Sequence, residues 1–232
     1  MRVGMFDSGI GGLTVLKAFL KKYPNNEYIY YGDNLNVPYG NKSKEELLKL
    51  STNIIKFLES KNVDIIIIAC GTISSNVYEE LKQETKIPLY SIIEEIPKYI
   101  ENKKYHNVTV MATSATINSH IFKQKIKIPV NEIECPKLVP LIENKDKNID
   151  DVLKEYIARI KTDAIILGCT HYPIIKESIK KIVEKNTEII DMGEVLANSI
   201  TLKESNHKVE LFFSKKDKIL EENIKIILGE VC

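Results

Sequence analysis

Residues 64–72 read DIIIIACGT and residues 163–171 read DAIILGCTH. In both stretches an Asp opens four apolar residues, a small residue follows, and a cysteine, Cys70 or Cys169, stands six positions after the Asp with a hydroxyl residue, Thr72 or Thr170, just beyond. A thiol in such a place has chemistry available to it. The end of a buried parallel strand is where open α/β sheets hold ligands, and the start of the next helix presents its positive dipole end, which favours a thiolate usable as base or nucleophile. One such cysteine is most simply a small buried hydrophobe. Two at matched positions of an internal repeat point instead to a shared role in one cleft.

Other residues gather around the same strand ends. Asp7 and Ser8 precede Gly9, Gly11 and Gly12. Glycines there let backbone amides approach a small anion, although the spacing is not that of a dinucleotide loop. Asp7 fits a helix cap as well as an acid–base role. The loop GDNLNVPYG at 32–40 brings Tyr39 and Gly40 beyond the second strand, and such loops often build sites. Thr113, Ser114, Thr116 and Ser119 offer clustered hydroxyls suited either to a carboxylate or to capping. His171, directly after Cys169 and Thr170, can orient or protonate a neighbour. Glu143 is a candidate acid or base behind these groups. Cys135, the terminal Cys232, His106, His120 and His207 lack comparable context.

Positioning these residues requires an α/β framework. Apolar strand-like runs at 2–6, 27–31, 64–69, 89–91, 108–112, 163–167 and 188–190 alternate with helix-like segments at 13–22, 43–60, 74–82, 92–102, 149–160 and 174–185. Ser43 followed by Glu46 is a capping box ahead of a periodic face. The lead strands VGMFDS and VTVMAT extend the repeat, so two pseudo-symmetric lobes are expected, each a mainly parallel sheet flanked by helices, with the site in the cleft between them. The first lobe is assigned residues 1–94 plus 196–232, with the strand at 209–213 returning to it, and the second 95–195.

Composition narrows the function classes. With 44% apolar residues the chain can build cores without staples, and 33 Lys and Arg against 32 Asp and Glu give a net charge of +1 that recommends neither nucleic acid nor a membrane surface as partner. The opening MRVGMFDSG lacks a secretory pattern and no run approaches a membrane span, so a cytoplasmic protein with free thiols is expected. The four cysteines show no C-x-x-C spacing, and no metal site is expected.

Beyond these local readings, the segments FDSGIGGLTVL, YYGDNLNVPYGNKS, IIACGT, MATSATINS, CPKLVPLIE and LGCTHYP, in that order over about residues 3–191, resemble the glutamate racemases of the cofactor-independent aspartate/glutamate racemase superfamily. The resemblance implies a two-base 1,1-proton transfer without pyridoxal phosphate or metal, supplying D-glutamate for peptidoglycan. It assigns Cys70 and Cys169 as the opposed bases and Asp7 and His171 as their acid–base neighbours. The same resemblance puts Asp7, Ser8, Tyr39, Gly40, Gly71, Thr72, Thr113, Thr116, Thr170 and His171 at substrate-contacting positions, with glutamate as the small-molecule partner and the choice between monomer and homodimer open. His171 points to the glutamate branch, since aspartate racemases usually carry an acidic residue there. Two departures stand out. Gly71 replaces the family's Asn, removing an amide contact worth about 1–3 kcal/mol, and Glu94, Glu95 and Ile96 alter its usual Pro-Gly near the lobe junction. The competing readings are an aspartate or broad-specificity racemase, a non-catalytic amino-acid-binding member, and a thiol redox or hydrolytic enzyme pairing Cys70 with His171.

Overall fold

The computed structural model describes residues 1–229; Cys232 lies outside them. In chain order the elements are β1 (Arg2–Asp7), α1 (Leu13–Lys22), β2 (Glu27–Gly32), α2 (Lys44–Ser60), β3 (Ile65–Ile68), α3 (Gly71–Asn76), α4 (Tyr78–Glu84), β4 (Leu89–Ser91), α5 (Ile96–Glu101) and β5 (Val108–Ala112). They continue as α6 (Ser114–Asn118), α7 (Ile121–Lys125), β6 (Val130–Glu134), α8 (Leu138–Glu143), α9 (Ile149–Ile157), β7 (Ala164–Leu167), α10 (Lys176–Ile182), β8 (Glu188–Asp191), α11 (Met192–Ser199), β9 (Lys208–Phe213) and α12 (Lys218–Leu228).

The strands form two sheets of parallel pairs, ordered β4-β3-β1-β2-β9 and β6-β5-β7-β8. Written in reverse, the second sheet is β8-β7-β5-β6, which matches β4-β3-β1-β2 strand for strand. The repeat in the sequence is therefore a repeat of topology. β3 ends at Ile68 and β7 at Leu167, so each cysteine stands two residues past the equivalent strand of its sheet.

Strand burial explains the continuous isoleucine runs. Side chains alternate between faces along a strand, so one covered on both sides needs apolar residues at every position. Ile65 and Ile67 join a core cluster shared with α1, α11 and α12, while Ile66 and Ile68 join one under α2, α3 and α4. In the second sheet Ala164 and Ile166 enter the shared cluster and Ile165 and Leu167 the one under α8, α9 and α10. Each such buried Ile or Leu side chain contributes roughly 1.5–3 kcal/mol.

The Asp that opens each repeat has a structural task. Asp64 Oδ2 accepts from the Arg2 amide at 2.7 Å, and Asp163 Oδ2 accepts from the amides of His106 and Asn107. Each carboxylate thus ties the start of one strand to the start of its neighbour and so helps fix the register that delivers the cysteine. The capping box on α2 forms as read from the sequence, with Ser43 and Glu46 exchanging hydrogen bonds of 3.2 and 3.0 Å.

Several local expectations change. The segment expected as one helix at 74–82 is two, α3 and α4, broken at Val77, and the helix expected from 92 starts at Ile96. A 3₁₀ turn at Tyr172–Ile175 precedes α10 and places Pro173 at its start, where the missing amide hydrogen is harmless. Strand β6 and helices α6, α7, α8, α11 and α12 were not among the sequence expectations. Among the described residues no helix is long and apolar enough to cross a membrane, and no cluster of His, Cys, Asp or Glu could hold a metal ion.

Candidate active site

Parallel strands aim their C-terminal ends, and the turns that follow, toward one edge of a sheet. The segments after β1, β2, β3, β5, β6 and β7 meet around a cavity of about 440 Å³, lined from the first sheet by Ser8, Tyr39, Gly40, Cys70, Gly71 and Thr72 and from the second by Thr113, Ser114, Cys135, Glu143, Cys169, Thr170 and His171. Both repeat cysteines therefore line the same space, of a size suited to a small molecule. They are buried and, with Cys135, free thiols among the described residues.

The two sulfurs have opposite electrostatic surroundings. Cys70 is the residue before the first turn of α3, its side chain making no capping bond there, and it donates to Ser8 Oγ at 3.5 Å. The sequence suggests a thiolate here. Instead burial, and then the charge of Asp7, push its pKa up to about 12 from an ordinary 9.0. That rise is about 4 kcal/mol against ionisation, whereas the end of a helix offers about 0.3–1 kcal/mol in favour. Desolvation wins, and Cys70 rests as a protonated thiol.

Cys169 keeps different company. Its Sγ lies 3.7 Å from His171 Nδ1, and His171 Nε2 lies 2.8 Å from Glu143 Oε1. Burial works against a charged imidazole, yet the hydrogen bonds to Cys169 and Glu143, with their charges, outweigh it and raise His171 to about 10. His171 is thus held as an imidazolium between a sulfur and a carboxylate. This relay pairs His171 with Cys169, not with Cys70 as a thiol hydrolase of the kind considered above requires.

Asp7 is fully buried beneath this wall. Its Oδ2 accepts from the Gly9 amide at 2.9 Å and its Oδ1 from Thr170 Oγ1 of the other lobe at 3.3 Å. Burial raises its pKa, opposed by His171 and by the amides of Gly9 and Gly12. Thr116 also stands off the cavity, its hydroxyl 3.1 Å from that of Thr113, which in turn lies 3.0 Å from Thr72 Oγ1. Tyr39 is on the wall, but its hydroxyl donates to Asp33 at 2.6 Å, so it fixes the 32–40 loop. The other positions read from the sequence, Ser8, Gly40, Gly71, Thr72, Thr113 and Thr170, are on the wall.

Some contributors escaped sequence reading. Cys135 lines the cavity even though it has no counterpart in the repeat, and burial raises its pKa to about 12. Gly168 and Asn144 also line it, and Asp33 orients Tyr39. The only prior signal for Cys135 was its place in the CPKLVPLIE segment.

Residues 14–200 match the model of the Asp/Glu/Hydantoin racemase family. The chain belongs to this family. It is an amino-acid racemase, an isomerase, of the glutamate racemase type. It is 37% identical to the glutamate racemase of Aquifex aeolicus, over 99% of this chain and 95% of the relative. Its structure superposes on glutamate racemase from Francisella tularensis, solved in complex with D-glutamate, with a TM-score of 0.87 at 33% identity, covering 98% of this chain and 93% of that one. The Campylobacter jejuni glutamate racemase gives a TM-score of 0.91 at 30% identity and full coverage of both chains.

Proposed function

We propose that this racemase interconverts L- and D-glutamate by a two-base proton transfer in which Cys70 and Cys169 face the α-carbon from opposite sides, and that it supplies D-glutamate for peptidoglycan. The observation that carries the reading is the pair of equivalent strand-end thiols on one cavity, one near the Asp7 carboxyl and the other beside the His171 imidazole. Inversion at carbon needs a proton removed on one face and delivered on the other. In one direction Cys169, with protonated His171 against it, takes the α-proton, and the thiol of Cys70 delivers its own. The carbanion is quenched by the S–H proton, leaving Cys169 as thiol and Cys70 as thiolate; the return direction reverses both transfers.

Charge develops on the substrate carboxylate as the α-proton leaves. Backbone amides of the strand-end turns and the hydroxyls of Ser8, Thr72 and Thr113 supply donors for it. Asp7 and His171 serve as acid–base neighbours of Cys70 and Cys169, and Glu143 holds the imidazole. The lobes we assign, residues 1–94 with 196–232 and residues 95–195, each contribute one sulfur. The test is proton NMR in deuterated water with each enantiomer of glutamate and aspartate. Both glutamate enantiomers are expected to lose the α-proton signal and converge to a racemic mixture, with aspartate much slower. Faster exchange of aspartate moves the enzyme to the aspartate branch, and ligand binding without exchange makes it a non-catalytic member.

A further inference from the structure

Gly71 stands between Cys70 and Thr72, as the first residue of α3. Its backbone has no left-handed angle, so the local conformation does not require glycine. The reason for it lies across the cleft. A Cβ on Gly71 would sit 2.5 Å from the carbonyl oxygen of Gly168, the residue before Cys169 in the other lobe. Backbone of one lobe thus rests against backbone of the other, each glycine being the chain neighbour of a repeat cysteine. Missing side-chain volume at 71 could instead leave room for a larger substrate, but that space is already filled by the Gly168 carbonyl.

The rest of the seam is in register with this contact. Thr72 Oγ1 lies 3.0 Å from Thr113 Oγ1, and Asn76 Nδ2 donates to the Ala115 carbonyl at 3.4 Å, each bond crossing from α3 to the start of α6. Gly11 is also closely approached by residues that follow β7, but by side chains: a Cβ there would meet Thr170 Oγ1 and then His171 Nδ1 at 2.5 Å.

We propose that Gly71 is a positioning residue that sets how far the lobes close, and with it the span between Cys70 and Cys169. This rests on the two-base reading above. Because carbon rarely approaches oxygen within 3.0 Å, a methyl group at 71 must move Gly168 away by about half an ångström or more, lengthening the neighbouring threonine bond. A displacement of this order between reacting groups can cost about 100-fold in rate.

The test is Gly71→Ala and Gly71→Ser, each in two readouts. Crystal structures are expected to show the Gly71–Gly168 approach widened relative to the parent. Kinetics in deuterated water are expected to show kcat for racemisation down by about 100-fold with KM changed far less, while the fraction of α-exchange that occurs without inversion rises, since one sulfur can still remove and return a proton alone. A merely structural defect lowers both processes together. Unchanged separation, or a parental kcat and exchange ratio, overturns the proposal. If the parent enzyme itself shows no α-exchange, the racemase reading fails, and the crystallographic separation alone decides the role of Gly71.

Discussion

At the scale of single residues, the site is a symmetric pair made unequal by its neighbours. Desolvation and Asp7 keep the proton on Cys70, while Cys169 faces an imidazolium anchored by Glu143. His171 titrates near 10, above its ordinary 6.5, so the stabilisation its charge provides is complete below pH 6.5 and lost as pH rises through about 10. Racemisation is accordingly expected to show an alkaline limb near pH 10 in a pH–kcat profile. In Glu143→Gln, which removes the negative partner 2.8 Å from Nε2, that limb moves toward neutrality and kcat falls about 10- to 100-fold. A limb that stays in place contradicts the role given to Glu143. The two cysteines, Asp7 and His171 were legible in the sequence because the repeat marked their positions. The inequality between the sulfurs was not, because it depends on burial and on Glu143, which is far from Cys169 in the chain. Cys135 was illegible for a related reason, since the strand before it, β6, has no recognisable pattern.

At the scale of elements, legibility followed burial. Strands covered on both faces, such as β3 and β7, announce themselves as isoleucine runs. Strand β6, VNEIE, is an edge strand with partly exposed and charged positions and gives no such signal. Helices α6, α7 and α8 span five or six residues, too short for a 3.6-residue period to repeat. Helix α11 carries a measurable consequence of its placement. Its cap, Asp191, accepts from the amides of Gly193 and Glu194 at 2.8 and 3.3 Å, yet burial first, and Glu194 next, raise its pKa to about 6. A raised carboxyl value means that the folded chain holds the proton more tightly than the unfolded one. The resulting stabilisation is present below the ordinary 3.8 and lost as pH climbs to about 6. Asparagine caps as well and carries no charge. Asp191→Asn is therefore expected to raise unfolding free energy by about 1–2 kcal/mol at pH 7 and to lose that advantage near pH 4, as measured by urea denaturation at the two pH values. A destabilised variant at pH 7 contradicts this account of the cap.

At the scale of the whole molecule, two sheets of matching strand order present matching turns to one cleft, and contacts across it hold the halves together. Thr14 Oγ1 donates to the Thr170 carbonyl at 2.9 Å, and Thr170 in turn reaches Asp7. The pseudo-symmetry could be read from the duplicated DIIIIACGT and DAIILGCTH stretches. The closeness of the seam at Gly71 and Gly168 could not, because it joins residues of different halves. A ligand bound between the lobes stabilises both, so D- or L-glutamate at 100 times its dissociation constant is expected to add about 2.7 kcal/mol to stability, read as a rise in Tm by scanning calorimetry. Aspartate at the same concentration is expected to do markedly less, and equal protection by the two argues for broad specificity.

The most direct examination of two thiols acting on one carbon is α-proton exchange in deuterated water by Cys70→Ser and Cys169→Ser, each given the separate enantiomers of glutamate. Each variant is expected to lose racemisation by at least about 1,000-fold while retaining slow exchange of only one enantiomer, a different one for each variant. Exchange of both enantiomers by either variant, or racemisation at near-parental rates, contradicts the account.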